Sequence, residues 1–232
     1  MSFTNRLLAL VLFLGATIPL CAQLQKARTI ILVGPPGSGK TVQAEALRKK
    51  YKVPAISMVQ LLREEISQHP AVSVGLAASV ESGELLADGP ANDLLTTRLL
   101  RPDTGRGFIL DGYPTSEGQG KVLDQWIRDN NLPHPVVIIL DVPEGVSRQR
   151  LAHRKRPGDE PGNVERRLAD YREVGRLVEK LYGSEYIIRV DGTGSQADVT
   201  LRIINGIETL PSSKSLKVRS IESEGLKQRP PQ

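Results

Sequence analysis

Residues 31–43, ILVGPPGSGKTVQ, constrain this chain more than any other stretch. An apolar run breaks into Gly34-Pro-Pro-Gly-Ser-Gly-Lys40-Thr41, which fits G-x-x-x-x-G-K-[ST] between a predicted strand and a predicted helix. Glycines let successive backbone N–H groups converge on phosphate oxygens, and a helix opening near Gly39 turns its positive end toward the same point. Gly34, Pro35, Pro36, Gly37, Ser38, Gly39, Lys40, Thr41 and Val42 are therefore the candidate triphosphate-binding loop. Lys40 can reach the β- and γ-phosphates, and Thr41 can ligate Mg²⁺ or a water of its shell. A glycine-rich turn with an exposed lysine is the plain alternative, and the strand-loop-helix setting argues against it. The loop alone leaves the fate of the phosphate open.

Short β-branched runs alternate with helical stretches through the rest of the chain, the pattern of a parallel sheet covered by helices on both faces. Strands are predicted at 29–33, 55–57, 108–111, 136–140 and 186–190. Four of these are continuous apolar runs rather than alternating ones, as strands buried on both faces require. Helices are predicted at 39–50, 58–68, 72–82, 90–100, 116–130, 144–155, 163–181 and 195–208. Ser195 to Asp198 has the form of a capping box, and Val199, Ile203 and Ile207 then share one face. With 232 residues, one α/β domain over about 28–210 is expected, and two independent domains would be a squeeze. A net charge of +5 suits polyanions generally, while 4% aromatics argues against a stacking surface for single strands, so no nucleic-acid partner is expected.

The first 22 residues follow the order of a signal peptide: an arginine at position 6, an apolar run from Leu7 to Ala22, then polar residues. The run falls short of the ~20 residues of a spanning helix. Export, with a periplasmic destination, is expected; membrane anchoring by an uncleaved segment 7–22 and a cytoplasmic protein are the alternatives. Cys21, the only cysteine, lies inside this segment, which excludes an intramolecular disulfide and a cysteine-based zinc site. Residues 211–232 are polar and aperiodic and read as a disordered tail.

Three further segments specify more: ISMVQLLREEI at 56–66, GFILDGYPTSEGQ at 107–119, and RQRLAHRKRPGD with VERRLADY over 148–171. With the phosphate loop, and with VDGTGSQADV at 190–199, they resemble the adenylate kinases, or more broadly the nucleoside monophosphate kinases, in order from Thr29 to Ile207. The resemblance implies the P-loop NTPase three-layer α/β fold, with a five-stranded parallel sheet in the order 2-3-1-4-5. It also implies a monophosphate-binding insertion at about 58–90, a short lid at about 155–163 and a monomer. The implied reaction is Mg²⁺-dependent, reversible transfer of a phosphoryl group from ATP to AMP. By the same resemblance Lys40, Asp111, Arg150, Arg154 and Arg167 are catalytic, with Arg150 also on the ATP side. Arg63, Gln119, Arg156 and Arg167 would bind AMP, and Thr41 and Asp111 would hold Mg²⁺ largely through water. Arg156 and Asp159 match the family's lid pair R-x-D-D only loosely.

Two departures cluster on the acceptor side. The family's D-G-[FY]-P-R appears as Asp111-Gly-Tyr-Pro-Thr115, and a hydroxyl cannot replace a bidentate guanidinium clamp. The pattern I-S-[TS]-G-[DE] appears as Ile56-Ser-Met-Val-Gln60. Three other readings follow: a catalytically weakened nucleotide-binding or interaction protein on the kinase scaffold, a kinase of different base specificity, and simple hydrolysis of a triphosphate. Arg98 and Arg101, spaced i,i+3, could move into the vacated place, but a solvated face is the expectation for both.

Overall fold

The computed structural model describes residues 28–70, 82–156 and 158–210. The expectations for residues 1–22 and 211–232, and nearly all of the helix at 72–82, lie outside these residues. In chain order the elements are β1 (Ile30–Val33), α1 (Lys40–Tyr51), β2 (Ala55–Ser57), α2 (Met58–Gln68), α3 (Asp88–Leu99), β3 (Ile109–Asp111), α4 (Glu117–Asp129), β4 (Val136–Asp141), α5 (Glu144–Arg154), α6 (Pro161–Tyr182), β5 (Ile187–Asp191) and α7 (Gln196–Thr209). The five strands form one parallel sheet in the order β2-β3-β1-β4-β5.

The strand interiors are mostly apolar because each side of the sheet is covered, and the polar residues fall mainly at strand ends and on the edge strand β5. Ile31, Val33, Ile56, Leu110, Val137 and Ile139 face one layer, packed with α3, α4 and α6. Their neighbours Ile30, Leu32, Ile109, Ile138 and Leu140 face the other, against Leu47 of α1 and Val199, Ile203 and Ile207 of α7. This is strand alternation with hydrophobic residues required on both sides. A smaller cluster of Leu151, Val164 and Leu168 joins α5 to α6.

The expected cap of the last helix is present. Ser195 Oγ accepts the Asp198 backbone N–H at 3.2 Å and lies 2.6 Å from Asp198 Oδ2, and Val199, Ile203 and Ile207 are buried. α3 begins two residues earlier than its apolar spacing suggests, which places Asp88 in its first turn. No helix among the described residues is long and apolar enough to cross a membrane.

Sheet register decides where the polar ends fall. Leu32 pairs with Asp111 and with Ile138, and Ser57 pairs with Asp111, so the strands deliver the phosphate loop, Asp111 and the start of α2 to one edge. In open parallel sheets, ligands bind outside this carboxyl edge.

Candidate active site

The loop leaving β1 takes its shape from two glycines. Gly39, at φ +94, is the residue before α1, and Gly37, at φ +78, lies where a Cβ would stand 3.1 Å from Ser147 O and 3.2 Å from Leu151 Cγ. A side chain at either position would be strained in the left-handed region, and at Gly37 it would also press on α5. Lys40, the first residue of α1, folds back over the loop: its ammonium donates to Gly34 O at 2.7 Å and Pro35 O at 3.0 Å, with Ser38 Oγ at 3.4 Å. Burial holds its pKa below the usual lysine range. Asp111 opposes that shift, and the guanidiniums of Arg167 and Arg154 add to it. All three charges thus lie near enough to act on the Lys40 ammonium.

Beside the loop, Thr41 Oγ1 donates to Asp111 Oδ2 at 2.9 Å. Asp111 is only 8% exposed at the end of β3. A hydroxyl and a buried carboxylate in contact suit Mg²⁺, which keeps several waters and takes one or two protein oxygens together with substrate phosphates. Among the described residues no cluster of three or more His, Cys, Asp or Glu could form a cage around a metal, and this ion needs none.

α5 and α6 supply the arginines. Arg150 donates from Nη1 to Gly37 O at 3.3 Å and from Nη2 to Gly192 O at 3.1 Å, so it ties the phosphate loop to the loop after β5. One turn on, Arg154 grips Asp159 through Nε at 2.8 Å and Nη2 at 2.6 Å. Arg167 donates to Gly158 O at 3.0 Å and to Asp159 Oδ1 at 3.3 Å. Asp159, with its side chain 3% exposed, thus gathers two guanidiniums. Burial alone would raise its pKa; the hydrogen bonds from Arg154 and from the backbone N–H of Arg156 outweigh this and hold it below the usual aspartate range. Arg156 contributes that backbone N–H, at 3.1 Å, and its side chain is exposed.

The acceptor side is arranged differently. Gln119 is an internal residue, 1% exposed. Its Oε1 accepts from Thr115 N at 2.8 Å and Thr115 Oγ1 at 3.1 Å, and its Nε2 donates to Asp88 Oδ1 at 3.1 Å and Leu86 O at 3.5 Å. Both lone pairs and both protons of the amide are engaged. Ser116 Oγ bonds the same Asp88 oxygen at 2.6 Å. Asp88 was missed from sequence, although an acid opening a helix before a Gly-Pro pair was the available signal. Arg63 is exposed on α2. Arg98 corrects the expectation of a solvated face: its side chain is 12% exposed and grips Asp103 at 2.8 and 2.7 Å, so it cannot serve the place vacated at position 115. Arg101 is exposed, as expected.

Comparison with known proteins agrees with this geometry. Residues 32–187 match the family model described as adenylate kinase. An adenylate kinase of Bartonella tribocorum is 35% identical over 188 residues, covering 76% of this chain and 97% of the relative. That of Stenotrophomonas maltophilia is 34% identical over 184 residues, covering 77% and 98%, and that of Brucella abortus is 34% identical over 188 residues, covering 77% and 90%. With the sheet order, the phosphate loop and the arginines of α5 and α6 in place, the chain is a phosphotransferase and belongs to the adenylate kinase family.

Proposed function

We propose that this protein transfers the γ-phosphoryl group of ATP reversibly to AMP, in a Mg²⁺-dependent reaction that yields two molecules of ADP. The observation that carries the reading is the convergence of Lys40, Asp111, Arg154 and Arg167 beside the glycine loop. In the transfer, a phosphate oxygen of AMP forms a bond to the γ-phosphorus as the bond from that phosphorus to the β–γ bridging oxygen breaks, and ADP leaves with the electron pair. Little covalent chemistry falls to the protein, so its work is positioning and charge neutralisation.

Each residue has a part in that work. The loop N–H groups and Lys40 hold the β- and γ-phosphates, and Arg150 orders the loop from behind. Arg154 and Arg167, released from Asp159 as the lid rearranges, stabilise charge on the oxygens of the transferring group. Thr41 and Asp111 would hold Mg²⁺, which would neutralise phosphate charge when bound. Closure over the bound nucleotides would exclude water from the site.

A second reading, a nucleotide-binding protein with a weakened acceptor site, draws on the Thr115 and Gln119 contacts. One assay separates the two. Full-length protein is given ATP with each of AMP, GMP, CMP and UMP, with and without Mg²⁺, and ADP is followed by a coupled enzyme system. Turnover with AMP is expected, and none without the metal. Bound ATP with no ADP from any monophosphate would sink the kinase reading, and phosphate release without an acceptor would mark a hydrolase instead.

A further inference from the structure

The acceptor half of the site lacks the family's arginine at position 115, yet another guanidinium reaches it from α6. Arg166 donates from Nη2 to the backbone oxygen of Ser82, and its Nη1 stands 3.5 Å from Glu84 Oε1. Arg167 lies against the same turn, where a Cβ on Gly83 would be 2.9 Å from Arg167 Cδ. Four residues further along, Leu86 O and then Asp88 Oδ1 meet the Gln119 amide. Ser82 and Leu86 are separated by at most about 14 Å of extended chain, so one short strap links Arg166 to the Gln119 pocket.

Where α6 meets this strap, two donors are unused, one from each side. Arg166 Nε is buried and has no hydrogen-bond partner among the described residues, and the same holds for Ser82 Oγ. A buried donor left unsatisfied is costly, and such groups rarely persist in a fold without a reason. Here a guanidinium N–H and a hydroxyl sit on two residues already joined by a hydrogen bond. Their shared complement is an anionic oxygen, which a guanidinium binds most strongly. The Arg166 side chain is 35% exposed, so a ligand can approach it from solvent. Its ionic partner among the described residues, Glu84, is held loosely at 3.5 Å and is itself more than half exposed.

We infer that Arg166, assisted by the Ser82 hydroxyl, binds the phosphate of the acceptor monophosphate in place of the arginine missing at position 115. The inference rests on the monophosphate kinase reading and deepens it: adjacent arginines on one helix divide the labour, Arg167 toward the transferring group and Arg166 toward the acceptor. Thr115 is then free to orient Gln119, as its two contacts to Oε1 do.

Arg166→Gln tests this by the split between substrates. The KM for AMP is expected to rise about 10- to 100-fold, the effect of losing one charged hydrogen bond, while the KM for ATP stays within about twofold. Calorimetry on the same variant adds a readout that a structural strut would not move: AMP binding weakens by the same factor and adenosine binding is unchanged. Thr115→Arg added to Arg166→Gln should restore most of the AMP affinity. If Arg166→Gln does not fold, Arg166→Lys replaces it, with a smaller loss confined to AMP. A parallel rise in both KM values, or equal weakening of AMP and adenosine, overturns the inference and leaves Arg166 a strut between α6 and the strap. Should the wild type turn over no monophosphate, the kinase reading fails, and the AMP–adenosine difference still judges Arg166.

Discussion

Asp111 and Asp159 are both buried aspartates with cationic or hydroxyl partners, and they do opposite things. Asp159 holds Arg154 and Arg167, which in the proposed reaction it would release, whereas Asp111 keeps its partner Thr41 beside the loop. Asp111→Asn preserves size and the ability to accept from Thr41 but removes the charge. Its kcat is expected to fall about 10²- to 10³-fold, the loss typical of one preorganised electrostatic contact, with ATP binding in the absence of Mg²⁺ unchanged. A Mg²⁺ titration of kcat checks this, and an unaltered kcat would remove Asp111 from the mechanism. At this scale sequence was a good guide to Lys40, Thr41 and Asp111, because each sits within a few residues of a strand end. It was a poor guide to Arg98, whose partner Asp103 lies in a turn that no periodicity announces.

Among the elements, α4 carries a charge on the wrong side. Gly120, Leu123 and Ile127 form its buried stripe, and Asp124 lies between them, next to Leu123 and four residues from Gly120. Burial pushes the Asp124 carboxyl up to about 6, against a smaller pull from the Arg128 guanidinium one turn on. Burial, and then the charge of Asp124, also raises the Tyr182 hydroxyl, which is buried without a hydrogen-bond partner among the described residues. The folded pKa lies above that of the unfolded chain, near 3.8. The fold therefore holds this proton more tightly, and the stability it contributes is complete below about pH 4 and lost as pH rises through 6. At pH 7 the ionised group is a liability. Asp124→Asn should stabilise the protein there by about 1 kcal/mol after allowance for partial solvent screening, raising Tm by about 2–4 °C, and the gain should vanish at pH 4. Melting curves at the two pH values decide it; an equal gain at both would mean that something other than ionisation is responsible. The α4 stripe was legible from its spacing, but the cost of Asp124 was not, since it depends on how closely α6 packs there.

For the molecule as a whole, the site is a joint between segments far apart in the chain. Arg150 reaches across 113 residues of sequence to the phosphate loop and 42 to the loop after β5, and Thr41 meets Asp111 across 70. A triphosphate bound there strengthens a joint that the unfolded chain lacks. ATP at about a hundred times its Kd should add about 2.7 kcal/mol, or about 5–10 °C in Tm for a domain of this size. Thermal denaturation with graded ATP measures it, and a Tm indifferent to ATP would deny the loop its ligand.

Hydrophobic spacing and the glycine loop were enough to specify the strands, the parallel sheet with both faces covered, and the donor cradle, because all of these are written in residues a few positions apart. The order of strands and the roles of the arginines came from resemblance over the whole chain. What lay beyond any reading of the residues in line was the pairing of side chains from different segments. Gln119 is internal because Thr115, in the loop before α4, and Asp88, in the first turn of α3, close on it, Asp159 collects two arginines because α5 and α6 converge, and Arg166 meets Ser82 because α6 packs against an insertion 84 residues earlier. Such contacts depend on how the layers stack, and spacing along the chain carries no record of that.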